Sequence, residues 1–266
     1  MNILVEIQKM YSSFSDKEKL IGDFILQQKE NINNISITDL GAQTNTSPST
    51  ITRFCKKIGC QSFVDMKIRI NRIKSDSNEQ SEVSVFSDMY NYYSEVITRT
   101  KELIHKEDIY EFIYQLKNAK KIYIYGVGSS GISAQEMMHR LLRMGFNVQS
   151  VTDSHMMIIT SSIVGSEDLV VGISTSGKTK IILKSLSLCK KNNAKIVSIT
   201  GFENTDMTKL SHLNLLVYNT AFVDKERFIN SQFSIMYLLD LISTVLLQDK
   251  DIRNTLKRTI DAITNI

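Results

Sequence analysis

The chain has 266 residues, 42% hydrophobic and 23% charged, a globular composition with enough material for one large or two modest domains. A formal net charge of +4 is too mild to indicate nucleic acid by itself, and Cys55, Cys60 and Cys189 make neither a disulfide framework nor a CxxC metal pair, so a reducing cytoplasm is the expected compartment. The four histidines (His105, His139, His155, His212) are too scattered for a metal site, the first ten residues carry Glu6 and Lys9 and are no secretory leader, and the apolar run 235–247, interrupted by Asp240, is too short for a bilayer.

In chain order, Ser15 with Glu18 makes a capping-box start, and Ile21, Phe24 and Ile25 continue a helical stripe up to the polar run 31–34. Residues 36–59, SITDLGAQTNTSPSTITRFCKKIG, then read as two short helices joined by a tight turn. Ser36 and Asp39 form a second capping box, with Ile37 and Leu40 on one face. Asn45 stands where a helix ends in a left-handed residue, Ser47 caps the next helix, and Pro48, the one proline of the chain, takes its first position. Ile51, Phe54, Cys55 and Ile58 fall on the inner face, and Gly59 ends the helix. Ser49, Thr52, Arg53, Lys56 and Lys57 remain outward. In a helix-turn-helix the start of the second helix enters the major groove, so Thr46, Ser47, Ser49, Thr50, Thr52, Arg53, Lys56 and Lys57 are the candidate DNA contacts, Arg53 foremost. Lys67, Arg69, Arg72 and Lys74 add positive charge beyond it.

Residues 75–81, SDSNEQS, carry no apolar side chain and read as a linker. Helical stretches follow, one with Val96, Ile97, Leu103 and Ile104 on a side, another over 108–118. From Lys121 the pattern changes to short β-rich runs, at 122–125, 148–151, 169–173, 195–199 and 213–217, alternating with helices. That alternation predicts a parallel sheet covered on both faces, with Met137, Met138, Leu141, Leu142 and Met144 on a sheet-facing helix. Two more helical segments, 228–247 and 252–263, close the chain.

Two loops in this half carry phosphate-type patterns. Residues 126–131, GVGSSG, match GxGxxG after a strand, with Asp153 where a ribose-binding acid would stand; residues 172–179, GISTSGKT, match GxxxxGK[ST]. The strands at 195–200 and 213–218 end in no aspartate to hold magnesium, which argues against a nucleoside triphosphatase. A dinucleotide would occupy only the first loop. In a doubly wound sheet of order 2-1-3-4-5, strands one and three are neighbours, and their loops face each other at the topological switch point. Ser129 and Ser130 then meet Ser174, Thr175, Ser176 and Thr179, and two helix N-termini with several hydroxyls suit one phosphate monoester.

Residues 126–131 and 174–179 resemble the two ligand loops of the SIS (sugar isomerase) domain, which binds phosphosugars. Together with the N-terminal segment TITRFCKK at 50–57, the chain resembles the RpiR/MurR family of bacterial regulators over roughly residues 1–245. The resemblance implies an all-α helix-turn-helix domain (1–75), a linker and connecting helix (76–105), and an α/β SIS domain (106–266) with a five-stranded parallel sheet in flavodoxin-like doubly wound order. It implies effector contacts at Ser129, Ser130, Ser174, Thr175, Ser176, Gly177 and Thr179, with sugar selectivity set within 224–232. Lys178 stands where the family often has Glu or Arg, and reads either as a phosphate contact or as a solvated lysine. The partners implied are double-stranded operator DNA and a phosphosugar effector, with a homodimer or higher oligomer and without cofactor, metal or membrane. SIS domains also occur in isomerases, which need a base; Glu136, His139 and His155 lie near the site, but no partner for any of them is legible, so catalytic residues are not expected.

Overall fold

The computed structural model describes residues 3–27, 32, 35–72, 85–219 and 230–264. The linker at 75–81 lies outside these residues, as does all of the selectivity region but 230–232. The chain divides into two compact units, with the division between Glu95 and Val96.

In the first unit, α1 (Ile3–Met10), α2 (Asp16–Gln27), α3 (Ile37–Gln43), α4 (Pro48–Lys57) and α5 (Phe63–Arg72) enclose one core. It is built from Ile3, Ile7, Phe14, Ile21, Ile25, Leu40, Ile51, Phe54, Ile58 and Met66, all buried. Each such side chain contributes about 1.5–3 kcal/mol when removed from water, so helices too short to persist alone are held by their shared inner face. The Phe14 and Phe54 rings lie 5.1 Å apart and tie the start of α2 to α4.

The division falls inside α6 (Val85–Leu103). Val96, Thr100 and Leu103 are buried, and the Thr100 hydroxyl accepts the Tyr218 amide at 3.4 Å within the second unit. After α7 (Lys106–Asn118) come β1 (Lys121–Tyr125), α8 (Ser129–Arg143), β2 (Val148–Val151), α9 (Ser154–Ile163), β3 (Asp168–Ile173), α10 (Lys180–Lys191), β4 (Lys195–Thr200), α11 (Asp206–Leu210), β5 (Leu213–Leu216), α12 (Phe233–Leu246) and α13 (Lys250–Thr264). The strands pair in parallel in the order β2-β1-β3-β4-β5.

Alternation along the strands gives the sheet two covered faces. Ile122 and Ile124 of β1 join a core with α7, α8 and α12, whereas Tyr123 and Tyr125 join one with α9 and α10. Met137, Leu141 and Met144 are buried against the sheet as expected, while Leu142 is 54% exposed and faces away from it. No side chain of α13 is buried; Thr259 donates to the Arg143 carbonyl at 3.2 Å.

Candidate functional site

The helix-turn-helix is specified at each of its corners. The Ser36 hydroxyl accepts the Asp39 amide at 3.1 Å while the Asp39 carboxylate accepts the Ser36 amide at 3.3 Å, and hydrogen bonding to Ser36 holds the Asp39 carboxyl below the usual carboxylate range. Asn45 turns left-handed at φ 48°, and the Thr46 amide then closes on the Gly41 carbonyl at 2.8 Å. Gly41, which is not among the expected turn residues, is part of this corner: a Cβ there would stand 2.7 Å from the Thr46 carbonyl oxygen, so the turn can meet α3 only at glycine. Ser47 caps α4 by accepting the Thr50 amide at 3.2 Å, with Pro48 at the first turn, and Gly59 follows the helix at φ 79°.

The eight candidate DNA residues separate into groups. Ser49, Arg53 and Lys56 are exposed on the outward face of α4, and Thr50 and Thr52 are half-buried, the Thr52 hydroxyl donating to the Pro48 carbonyl at 2.9 Å. Ser47 is exposed, but its hydroxyl is engaged by the cap. Thr46 departs from expectation: it is 9% exposed and its hydroxyl pairs with that of Thr44 at 2.7 Å inside the turn. Lys57 departs too, because its ammonium is bound to Glu18 at 2.9 Å and to the Ser13 carbonyl at 3.0 Å. On α5, Lys67 donates to the Ile35 carbonyl at 3.2 Å and Arg69 pairs with Asp65 at 3.0 Å.

In the second unit, Tyr125 at the end of β1 is in register with Gly172 of β3, so the two loops leave adjacent strands on the same edge of the sheet. In the first loop a Cβ on Gly126 would stand 2.4 Å from the Ser130 carbonyl oxygen, and Gly128 sits at φ 57°. The chain therefore doubles back tightly enough to begin α8 at Ser129, and both loop serines lie in its first turn. In the second loop the Ser174 hydroxyl lies 2.9 Å from that of Thr179 and 3.5 Å from that of Ser176, and the Lys178 amide donates to Ser176 at 3.2 Å. The Ser174 amide binds the Ile199 carbonyl at 3.0 Å and the Gly201 amide binds the Thr175 carbonyl at 3.0 Å, which fixes this loop to the end of β4. Gly177, at φ 63°, lies against Thr205: a Cβ would approach its hydroxyl to 2.6 Å. Lys178 is exposed.

Four helices start at the carboxyl ends of β1 to β4. Asp153 caps α9 through the Met156 amide and Thr205 caps α11 through the Thr208 amide, but α8 and α10, which follow the two loops, have no side-chain cap. Among these four helices the positive ends of α8 and α10 alone carry no side-chain acceptor; α7 and α12, which do not start at these strand ends, also lack one. Asp153, the acid that a dinucleotide would use, serves as a helix cap here. Gln232, the last residue of the expected selectivity region 224–232, reaches the first loop: its side-chain oxygen accepts from Ser133 at 3.1 Å and Ser130 at 3.4 Å. Glu136 is held by Arg140 at 2.7 Å, and His139 and His155 are exposed. His212 accepts the Ile196 amide at its Nδ1, and its pKa is lowered, chiefly by burial. Among the described residues no group of three His, Cys, Asp or Glu side chains could hold a metal ion, and no helix is long and apolar enough to cross a membrane.

Comparison with known proteins agrees with this division. The family model of the helix-turn-helix domain, rpiR family, matches residues 1–77, and that of the SIS domain matches residues 115–242. An uncharacterized HTH-type transcriptional regulator of Clostridium perfringens is 29% identical over 264 residues, 94% of this chain and 93% of that one. The Vibrio vulnificus NanR protein, solved in complex with ManNAc-6P, superposes with a TM-score of 0.62 over 99% of this chain and 98% of its own, at 23% identity. The sugar isomerase domain of an RpiR transcription factor from Sphaerobacter thermophilus covers 67% of this chain and 98% of its own, with a TM-score of 0.61 at 14% identity. The chain thus joins an rpiR-type helix-turn-helix to a SIS domain and belongs to the RpiR/MurR family of bacterial transcriptional regulators.

Proposed function

We propose that the chain is a DNA-binding transcriptional regulator of carbohydrate metabolism whose affinity for operator DNA changes when a phosphosugar occupies the loops 126–131 and 174–179. The observation that carries this reading is the pair of uncapped helix N-termini that follow the adjacent strands β1 and β3, with Ser129, Ser130, Ser174, Ser176 and Thr179 in the loops and first turns that lead into them. Amide dipoles and hydroxyls carried by neighbouring loops at the same edge of the sheet suit a phosphate monoester, with Thr175 and Gly177 shaping the second loop. The NanR protein, whose whole chain superposes on this one, was solved with the phosphosugar ManNAc-6P.

The chain acts as a sensor without catalysis. Sugar isomerisation requires a base beside the carbon that loses its proton, and Glu136, the carboxylate nearest in sequence to the first loop, is paired with Arg140. Arg53, Lys56 and Ser49 present the DNA-reading face, and the protein works in the cytoplasm as a homodimer whose two reading helices span an operator with matching symmetry. A thermal-shift screen against phosphosugars, NAD(H) and ATP with magnesium tests the effector class, because a ligand specific to the native state raises its stability. Stabilisation by a phosphosugar alone is the expected result; stabilisation by NAD(H) or ATP alone would replace this reading.

A further inference from the structure

Lys57 ends α4, one residue beyond the exposed Lys56, and composition gives no reason to treat the two lysines differently. Their surroundings do. The Lys57 ammonium lies 2.9 Å from Glu18 Oε2, 3.0 Å from the Ser13 carbonyl and 5.2 Å from the centre of the Phe14 ring. Glu18 Oε2 also accepts the Ser15 amide at 2.8 Å, so the carboxylate that starts α2 holds the end of α4. Burial opposes the charge on Glu18, but hydrogen bonds from Ser15 and Lys57 outweigh it and keep its pKa below the usual range. The Glu18 side chain is only 16% exposed. To reach a DNA phosphate, Lys57 would have to leave both acceptors and strand a largely buried carboxylate.

We propose that Lys57 is a positioning residue of the DNA-reading helix, held by Glu18 and the Phe14 ring, and is not a phosphate contact. The inference rests on α4 being the helix that reads DNA. This helix has ten residues and two anchors. Its start is fixed by the Ser47 cap and the turn at Gly41, and its end by Lys57 together with the Phe54 ring, which packs at a tilt of 59° against Phe14. At 1.5 Å per residue Arg53 lies about 6 Å along the axis from Lys57, so releasing the end anchor tilts the very segment that carries Arg53.

The two roles predict opposite signs for a change at Glu18. If Lys57 served phosphate, Glu18→Gln would free it and remove a negative charge beside the DNA, which tightens binding. If Lys57 positions the helix, Glu18→Gln weakens binding although it makes the surface more positive. The test uses the full chain and a duplex selected from a random-sequence pool on the wild-type protein, with Kd measured across a salt series. Glu18→Gln and Lys57→Met, which keeps an aliphatic stem on Phe14, should each weaken binding about tenfold, the worth of a charge-assisted hydrogen bond. The slope of log Kd against log salt should stay as in the wild type, whereas loss of a true phosphate contact lowers it by about 1. Circular dichroism at the assay temperature restricts the comparison to folded protein, and Glu18→Gln, which retains an acceptor for the Ser15 amide, is the milder variant. Unchanged or tighter binding by Glu18→Gln, or a slope reduced by about 1 in Lys57→Met, overturns the inference. Unchanged affinity in Arg53→Ala would instead overturn the assignment of α4 as the reading helix.

Discussion

Replacing Gly126 by alanine tests the first ligand loop with a single methyl group. The added Cβ would stand 2.4 Å from the Ser130 carbonyl oxygen, 2.8 Å from the Ser130 carbonyl carbon and 3.0 Å from the Gly131 nitrogen. Carbon and oxygen rarely approach closer than about 3.3 Å, so the first turn of α8 must move by roughly 1 Å. All three neighbours are backbone atoms, and no flexible side chain can absorb the clash. The cost falls at the upper end of the overpacking range of about 1–3 kcal/mol. A shift of this size also carries the Ser129 and Ser130 groups out of hydrogen-bond range, and losing one or two such bonds to a charged phosphate is worth roughly 1.5–3 kcal/mol each, ten- to hundredfold or more in Kd. Isothermal titration with the phosphosugar that stabilises the wild type measures the loss, and a duplex-binding assay without effector should be unchanged. Gly128 supplies a comparison: its alanine meets no atom within 4 Å, but φ 57° with ψ −133° is a conformation that side chains other than glycine rarely adopt and costs about 1–3 kcal/mol, so its effect comes from backbone strain and not from a clash. Wild-type effector affinity in Gly126→Ala would refute the cradle formed by the first loop.

Ser176→Ala should weaken phosphosugar binding by about tenfold in the same titration and leave DNA affinity without effector intact; unaltered effector affinity would remove Ser176 from the clamp. Ser47→Ala removes the cap of α4 and should lower the stability of the DNA-reading unit by about 1 kcal/mol in a denaturant titration, with no loss indicating that Pro48 alone sets the helix start. For pH, Glu18, Asp39 and Asp249 all have folded pKa values below their ordinary ones: on Glu18 burial is outweighed by hydrogen bonds from Ser15 and Lys57, Asp39 is held down by Ser36, and Asp249 by Lys117. Each contributes stability that is complete above the unfolded carboxylate pKa of about 4 and is lost as pH falls through the lower folded value. Unfolding free energy should therefore decline on acidification below about pH 5, and a rise there would contradict the pairings.

What the sequence revealed was local. Ser36 with Asp39, Asn45, Ser47 with Pro48, and Gly59 each act over three or four neighbours, and each adopts the expected geometry. The strand order could be read because parallel strands need helical crossovers, which fix which loops become neighbours. The departures are long-range. Nothing near Lys57 in sequence shows that its acceptors lie 39 and 44 residues away, nor does Ser133 show that Gln232, 99 residues on, takes its hydroxyl. Thr46 reads from the sequence as a candidate DNA contact, and its burial depends on Thr44 meeting it inside the turn. Gly41 carries a signal that could have been used, since a glycine in so short a helix marks a close backbone approach.

The most direct test of sensing is to measure the affinity of the full chain for its selected duplex at fixed salt, with and without a saturating phosphosugar. The account predicts a change of about 5- to 150-fold, and the same factor must appear when phosphosugar affinity is measured with and without the duplex, because coupling between two sites is reciprocal. A phosphosugar that binds the chain while leaving DNA affinity unchanged would contradict it.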